Sequence, residues 1–261
     1  MTSDVRLLQL SDPHLFADPK GVLRGVESLS AFQRVLSHAI RKRNRPDAIL
    51  CSGDVVNDDA GGYAHFVHEL APLDKPVLCV PGNHDDAAAM RRALSEPPFQ
   101  VGGYVDLGAH WRLVLVDSCI PGEAGGRISR HELRELDSAL AGSDRYALVC
   151  LHHHPVSMAS NWLDQVGVQN AEEFFAVLDR HARVRAITWG HVHQCFEARR
   201  RGVRLLATPS TGGQFLPLSD EFAIDGRPPA YRRLTLLPDG TLDTEVVWVD
   251  DAASSLASAS A

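Results

Sequence analysis

No apolar run in the 261-residue chain approaches the roughly 18 residues that a membrane-spanning helix needs. The opening Met1-Thr2-Ser3-Asp4 runs straight into an apolar segment and lacks the basic and then apolar regions of a secretory signal. None of the five cysteines belongs to a Cys-x-x-Cys pair, and their odd number fits a reducing compartment better than a disulfide framework. Cys51, Cys79 and Cys150 lie in apolar runs and read as small core residues, while Cys119 and Cys195 are isolated. These absences make a cytoplasmic protein the expectation. Positive charge is also in deficit. Lys and Arg number 26 against 33 Asp and Glu, so a net charge of −7 disfavours nucleic acid or an anionic membrane as partner. A metal centre can still make one cleft locally positive on an acidic protein. The basic runs at 41–45 and 199–201 read as solvated charge at a helix end and a hairpin.

The hydrophobic fraction of 44% is enough for a sizeable core. Short apolar runs at 5–10, 48–51, 77–80, 104–107, 111–116, 146–151 and 185–189 read as strands. Between them, helical spacing marks 27–43, 63–70, 86–94, 129–140 and 171–181, with a Ser129–Glu132 capping box. Pro46 and the Pro97-Pro98 pair act as stops. Three more strands follow at 203–207, 231–237 and 242–249, the last two joined across Pro238-Asp239-Gly240. Alternating strand and helix argues for an α/β fold with largely parallel pairing, and two packed sheets would accommodate the strand-rich last third. One domain over 1–250 is expected, followed by a frayed Ala/Ser-rich tail at 251–261.

Five islands at strand ends carry the chemistry: Asp12-Pro13-His14, Gly53-Asp54, Gly82-Asn83-His84-Asp85, His152-His153-His154-Pro155 and Gly190-His191-Val192-His193. Taken singly, each has an ordinary reading as a loop tripeptide, a turn Asp, a Pro-Gly-Asn-His turn or surface histidine. Taken together they put ligand-type residues at five strand C-termini, where open α/β sheets place their sites. Two side chains two apart on an extended segment point the same way, so Asp12 with His14, and His191 with His193, can project together. A carboxylate at Asp54, closing a buried strand, is costly unless compensated, and bridging two cations would compensate it. Asn83 offers a neutral oxygen, and His84 beside it is free to act as an acid. Mixed nitrogen and oxygen ligation without thiolate suits manganese, iron or zinc. Two adjacent divalent cations point to hydrolysis at phosphorus by a metal-bound hydroxide. His38, His65, His68, His110, His131 and His181 lack ligand spacing and default to surface or helix-end roles.

In this order, the five islands resemble the signature of the calcineurin-like metallophosphoesterases over nearly the whole chain. Residues 12–17, 160–165, 205–211, Gln214-Phe215 and 231–240 further resemble the bacterial class III 3′,5′-cyclic-AMP phosphodiesterases. The resemblance implies a four-layer α-β-β-α sandwich with two central mixed β-sheets. It implies a first metal on Asp12, His14, Asp54 and His193, and a second on Asp54, Asn83, His153 and His191, with Asp54 bridging. Within the triplet it selects His153, two residues before the proline. Iron or manganese is the first expectation for the pair, with zinc or magnesium as alternatives. His84 would be catalytic, and His14, Asp54, Asn83 and His84 would meet the substrate, cyclic AMP, on its way to 5′-AMP. Many relatives carry Gly-Asp-x-x-Asp, whose second Asp orients the catalytic histidine. Here that position is Asn57, which leaves Asp58 or Asp85 as substitutes. Rival readings keep the fold and change the substrate: glycerophosphodiesters, 2′,3′-cyclic nucleotides or nucleotide-sugar pyrophosphates. A non-catalytic metal-binding scaffold is the remote alternative, and the sequence leaves a homodimer open.

Overall fold

Two six-stranded sheets lie face to face. In the computed structural model, which describes residues 4–41 and 45–250, the first sheet has the order Leu242–Trp248, Ala230–Leu236, Val5–Leu10, Ala48–Cys51, Val77–Cys79, Phe99–Val101. The second has the order Phe196–Arg200, Val203–Ala207, Val184–Trp189, Tyr146–Cys150, Trp111–Leu115, Gly103–Leu107. Both are mixed. Four parallel strands from Val5–Leu10 outward are met by antiparallel Ala230–Leu236 and Leu242–Trp248. The second sheet has a parallel centre and an antiparallel strand at each edge. The helical crossovers between parallel strands carry the chain over the outer faces, whereas Val184–Trp189 reaches parallel Val203–Ala207 through Phe196–Arg200 of the same sheet. The tail expected at 251–261 lies outside the described residues.

Three apolar clusters define four layers. Leu7, Leu50, Leu78, Leu113, Leu148 and Leu206 fill the space between the sheets. Phe32, Val35 and Leu36 of Ser28–Ala39, with Phe66 of Tyr63–Leu70, cover the outer face of the first sheet. Leu136 of Arg130–Ala141 and Phe174 of Ala171–Leu178 cover that of the second. The α-β-β-α sandwich with two mixed sheets is therefore the observed architecture. Strand residues are buried on both sides, which is why they read as continuous apolar runs. Local chemistry sets the ends of helices. Ser129 Oγ accepts from Glu132 N at 3.1 Å, and Asp86 caps Ala87–Ala93. The helix expected over 27–43 is shorter, Ser28–Ala39, and the one expected to 181 stops at Leu178, where His181 instead pairs with Asp137 at 2.7 Å. Cys51, Cys79 and Cys150 are buried and unpaired, as their apolar surroundings suggested.

Polar stitches cross between the sheets. The fully buried Arg232 of the first sheet donates to Ala207 O, Thr208 Oγ1 and Glu197 Oε1, the last at 2.8 Å. Gln9 accepts from Thr188 Oγ1 at 2.8 Å and donates to Ser52 Oγ at 3.0 Å. A buried guanidinium cannot be deleted without stranding its acceptors. Arg232→Ala is thus expected to lower unfolding free energy by about 3 kcal/mol, read as an earlier midpoint in urea; a shift under about 1 kcal/mol would show that water replaces these bonds.

Candidate metal centre

All five islands emerge at the C-terminal ends of parallel strands, three from the first sheet and two from the second. Because the sheets stack, these ends converge on one edge of the sandwich. The ligand residues do not follow extended backbone, as the two-residue spacing suggested. Asp12, His14, Asp54, His191 and His193 all have positive φ, from 46° to 65°. The chain therefore twists at each of them. His191 and His193 go to different donor groups instead of projecting together.

Two nests of donor atoms result. In the first, His14 Nε2 and His193 Nε2 lie 3.2 Å apart, His193 Nε2 is 3.4 Å from Asp12 Oδ1, and His14 Nε2 is 3.6 Å from Asp54 Oδ2. In the second, His152 Nε2 stands 3.4 Å from Asp54 Oδ2, 3.1 Å from Asn83 Oδ1 and 3.2 Å from His191 Nδ1. Asp54 Oδ2 belongs to both. Tautomers agree with ligation. His193 Nδ1 donates to Gly213 O at 2.8 Å and His152 Nδ1 to Ser52 O at 2.7 Å, which turns each Nε2 into its donor nest, where a metal ion could take the lone pair in place of a proton. Lone pairs and carboxylate oxygens gathered at 3.1–3.6 Å suit a shared cation at each nest. Among the described residues, groups able to hold an ion include Asp12–His14–His193, His14–Asp54–His84, Asp12–Asp54–His152 and His152–His153–His191.

Within the histidine triplet, His153, which the resemblance selects, pairs its Nδ1 with Ser118 Oγ at 2.8 Å and belongs to the donor group His152–His153–His191. His152 faces both Asp54 and Asn83. Backbone bonds from Leu151 N to Thr188 O and from Gly190 N to His152 O continue past the strand end, and donation from Nδ1 to Ser52 O turns the His152 ring toward the seam between the sheets. His154 stacks on His191 with ring centres 5.6 Å apart, and its Nε2 lies 4.0 Å from Asp164 Oδ1.

Electrostatics favours positive charge here. Burial alone would raise the Asp54 carboxyl, but His152 and then His14 outweigh it and hold it well below the usual range. Burial raises the Asp12 carboxyl as well, and His193 outweighs it and holds Asp12 below its ordinary value. Burial drives His14 down to about 3, with Asp54 opposing. Burial, then the charges of neighbouring imidazoles, keep His191 and His153 well below their ordinary value. His152 is the exception: burial lowers it, yet Asp54 wins and holds it at about 9. The Asp54 carboxylate thus draws positive charge to this position, which either a protonated His152 or a bound cation could supply.

Residues without ligand character build the frame. Asp85 accepts from Gly82 N, Val55 N, Val56 N and Tyr63 Oη at 2.8–3.2 Å, tying the Asp54 loop to the Asn83 loop. Burial and then the Asp54 charge raise it to about 6. Asp58, not Asn57, orients His84: Asp58 Oδ2 lies 2.8 Å from His84 Nδ1, while His84 N donates to Asp54 Oδ1 at 2.8 Å. Gly190 is required because any Cβ would collide with Ser11 Oγ and Asp12, and Gly82 because one would collide with Asp54. Ser11, Ser52 and Ser118 gave no sequence signal beyond being small, and Phe215, noted in the sequence only within the family-like pair Gln214-Phe215, stacks its ring on His193 at 4.1 Å.

Known proteins agree with this geometry. A 3′,5′-cyclic adenosine monophosphate phosphodiesterase of Vibrio vulnificus is 39% identical over 94% of this chain and 90% of its own length. One from Pseudomonas aeruginosa is 40% identical over 95% of this chain and 92% of its own. In fold, a dimetal phosphatase from Danio rerio superposes with a TM-score of 0.65 at 15% identity, covering 94% of this chain and 99% of that one. Residues 5–195, which carry every one of the five islands, match the calcineurin-like phosphoesterases, and the chain belongs to that family.

Proposed function

We propose that this protein is a binuclear metal-dependent phosphodiesterase that opens 3′,5′-cyclic AMP to 5′-AMP. The observation that carries the reading is the pair of donor nests sharing Asp54, with His84 at their edge. Relatives bearing the cyclic-AMP name extend along nearly the whole chain. Asp12, His14, Asp54 and His193 would hold one metal, and Asp54, Asn83, His152 and His191 the other, with His152 taking the place first given to His153. Bound there, two divalent ions would supply an activated water and neutralise charge on the phosphoryl oxygens. Nitrogen and oxygen donors without thiolate favour manganese or iron.

The chain's own residues do the rest. His14, Asp54, Asn83 and His84 frame the place of the phosphodiester. The His84 ring lies edge-on to His14, with centroids 5.1 Å apart. Asp58 accepts the Nδ1–H of His84, which orients the ring and places a carboxylate against the imidazolium that would give its Nε2 proton to the leaving 3′ oxygen as the bond from that oxygen to phosphorus breaks. A carboxylate at this place answers the loss of the usual Asp at position 57. Five unpaired thiols fit action in the reducing cytoplasm, and no helix among the described residues is long and apolar enough to cross a membrane.

Metal-loaded protein should convert cyclic AMP to 5′-AMP, and inertness toward it after reconstitution with manganese or iron would refute the assignment. His84→Ala is expected to lower turnover by roughly 10²–10⁴ with metal content intact. Asp58→Asn should lower turnover less, again without metal loss; an unchanged rate would remove Asp58 from the role. Elemental analysis separates the two histidines: His152→Ala should lose metal from the second nest, whereas His153→Ala should retain both ions. The reverse pattern would restore His153 as the ligand.

A further inference from the structure

The leaving-group acid fixes where the remainder of the substrate lies. His84 serves an oxygen that carries the nucleoside, so the nucleoside needs space contiguous with His84. The two flanks of the centre differ sharply in space. Beside Asp12, His14 and His193 the gap is only about 10 Å³. Arg24 closes it, its guanidinium lying 4.6 Å and 4.7 Å from the rings of Phe215 and Phe222. Beside Asn83 and His84 a cavity of about 590 Å³ opens. That falls in the range of roughly 300–1,000 Å³ usual for small-molecule sites.

We infer that this second cavity is the nucleoside subsite, and that Ile120 with Pro121 forms the apolar wall on which the heterocycle packs. The inference rests on the phosphodiesterase reading above and adds the place and chemistry of recognition. The wall is preformed. Glu123 N donates to Ile120 O at 3.1 Å across Pro121-Gly122, and Gly122 has φ 78°, the signature of a type II turn. Cys119 bridges to Gly126 behind the turn, and Cys119 Sγ lies 3.2 Å from Pro81 O, next to the Asn83 loop. Asp117 holds the stem, accepting from Cys119 N at 3.0 Å and pairing with Arg91 at 3.2 Å. A rigid apolar surface thus faces the reaction centre across the cavity.

Charge narrows the ligand further. Asp58, Asp59, Asp85, Asp86 and Asp117 line the cavity, and Arg91, already paired with Asp117, is the only Lys or Arg among the described residues that does so. Such a rim repels a second phosphate and accepts hydrogen bonds from hydroxyl and amino groups. It suits the uncharged nucleoside of a cyclic mononucleotide. It opposes nucleotide-sugar pyrophosphates and polynucleotides, whose further phosphates would enter the same space.

The test compares two ligands on metal-loaded protein by calorimetry: inorganic phosphate, which needs only the metal centre, and 5′-AMP, which adds the nucleoside. Ile120→Trp fills the cavity and Ile120→Asp makes its wall acidic. Both are expected to weaken 5′-AMP by about tenfold or more, and to raise KM for cyclic AMP more than they lower kcat, while phosphate affinity stays within about twofold. Unchanged 5′-AMP affinity in either variant that still binds phosphate overturns the subsite. Equal loss of both ligands in both variants also overturns it, because the turn would then brace the metal centre instead of walling the nucleoside. Wild-type protein that binds phosphate but leaves cyclic AMP intact sinks the phosphodiesterase reading itself, and that result precedes any variant.

Discussion

The carboxylate of Asp54 is the constraint from which the rest of the site follows. It is 2% exposed, and an ionised carboxylate so deeply placed is untenable without compensation. Compensation comes from three chain segments remote in sequence: His14, His152 and the backbone N–H of His84. Two of those segments leave the first sheet and one leaves the second, so the charge balance at Asp54 also fixes how the sheets meet. A buried anion that draws imidazoles from both layers is a place where cations bind, and both donor nests share one of its oxygens.

Around Asp54 stands a frame of polar residues with no ligand role. Asp85 binds four donors and locks the Asp54 and Asn83 loops into one unit. The Thr188–Gln9–Ser52–Ser11 chain runs across the seam and ends on Asp12. Its hydroxyls and amide are buried, so each must be satisfied, and satisfying them holds the two sheets in one relative position. Precision at the metals is therefore partly inherited from the packing between the sheets.

The legible parts of the molecule are those with local signals. Buried parallel strands announce themselves as short apolar runs, and Ser129 and Asp86 mark helix starts by chemistry that needs only three following residues. Asp12, His14, Asp54, Asn83, His191 and His193 stood out because polar ligand types directly follow such runs. The direction of a ring is not local. His152 is turned by Ser52 O, 100 residues earlier, and His153 by Ser118, 35 residues earlier, so the triplet disclosed its purpose without disclosing which member performs it. Phe99–Val101 is only three half-buried residues, and Phe196–Arg200 alternates with arginines on an exposed edge, so both escaped detection as strands. The hairpin strands Val22–Leu23, Val26–Glu27, Gln214–Phe215 and Ile224–Asp225 are two residues long, too short for any period to register. Asp58 was one of two substitutes open for holding His84, and only the fold of its loop decides between it and Asp85.

The left-handed backbone at Asp12, His14, Asp54, His191 and His193 limits how such a centre can be re-engineered. Asp, Asn and His tolerate that conformation better than most side chains, so ligand chemistry and backbone demand coincide at all five places. Converting the donor set to thiolates in pursuit of a softer metal would meet a conformational cost of roughly 1–2 kcal/mol at each position, before any change in affinity is counted. Under the proposed ligand assignment, adaptation to another metal is therefore cheaper at Asn83 and His152, which are not among the residues with positive φ.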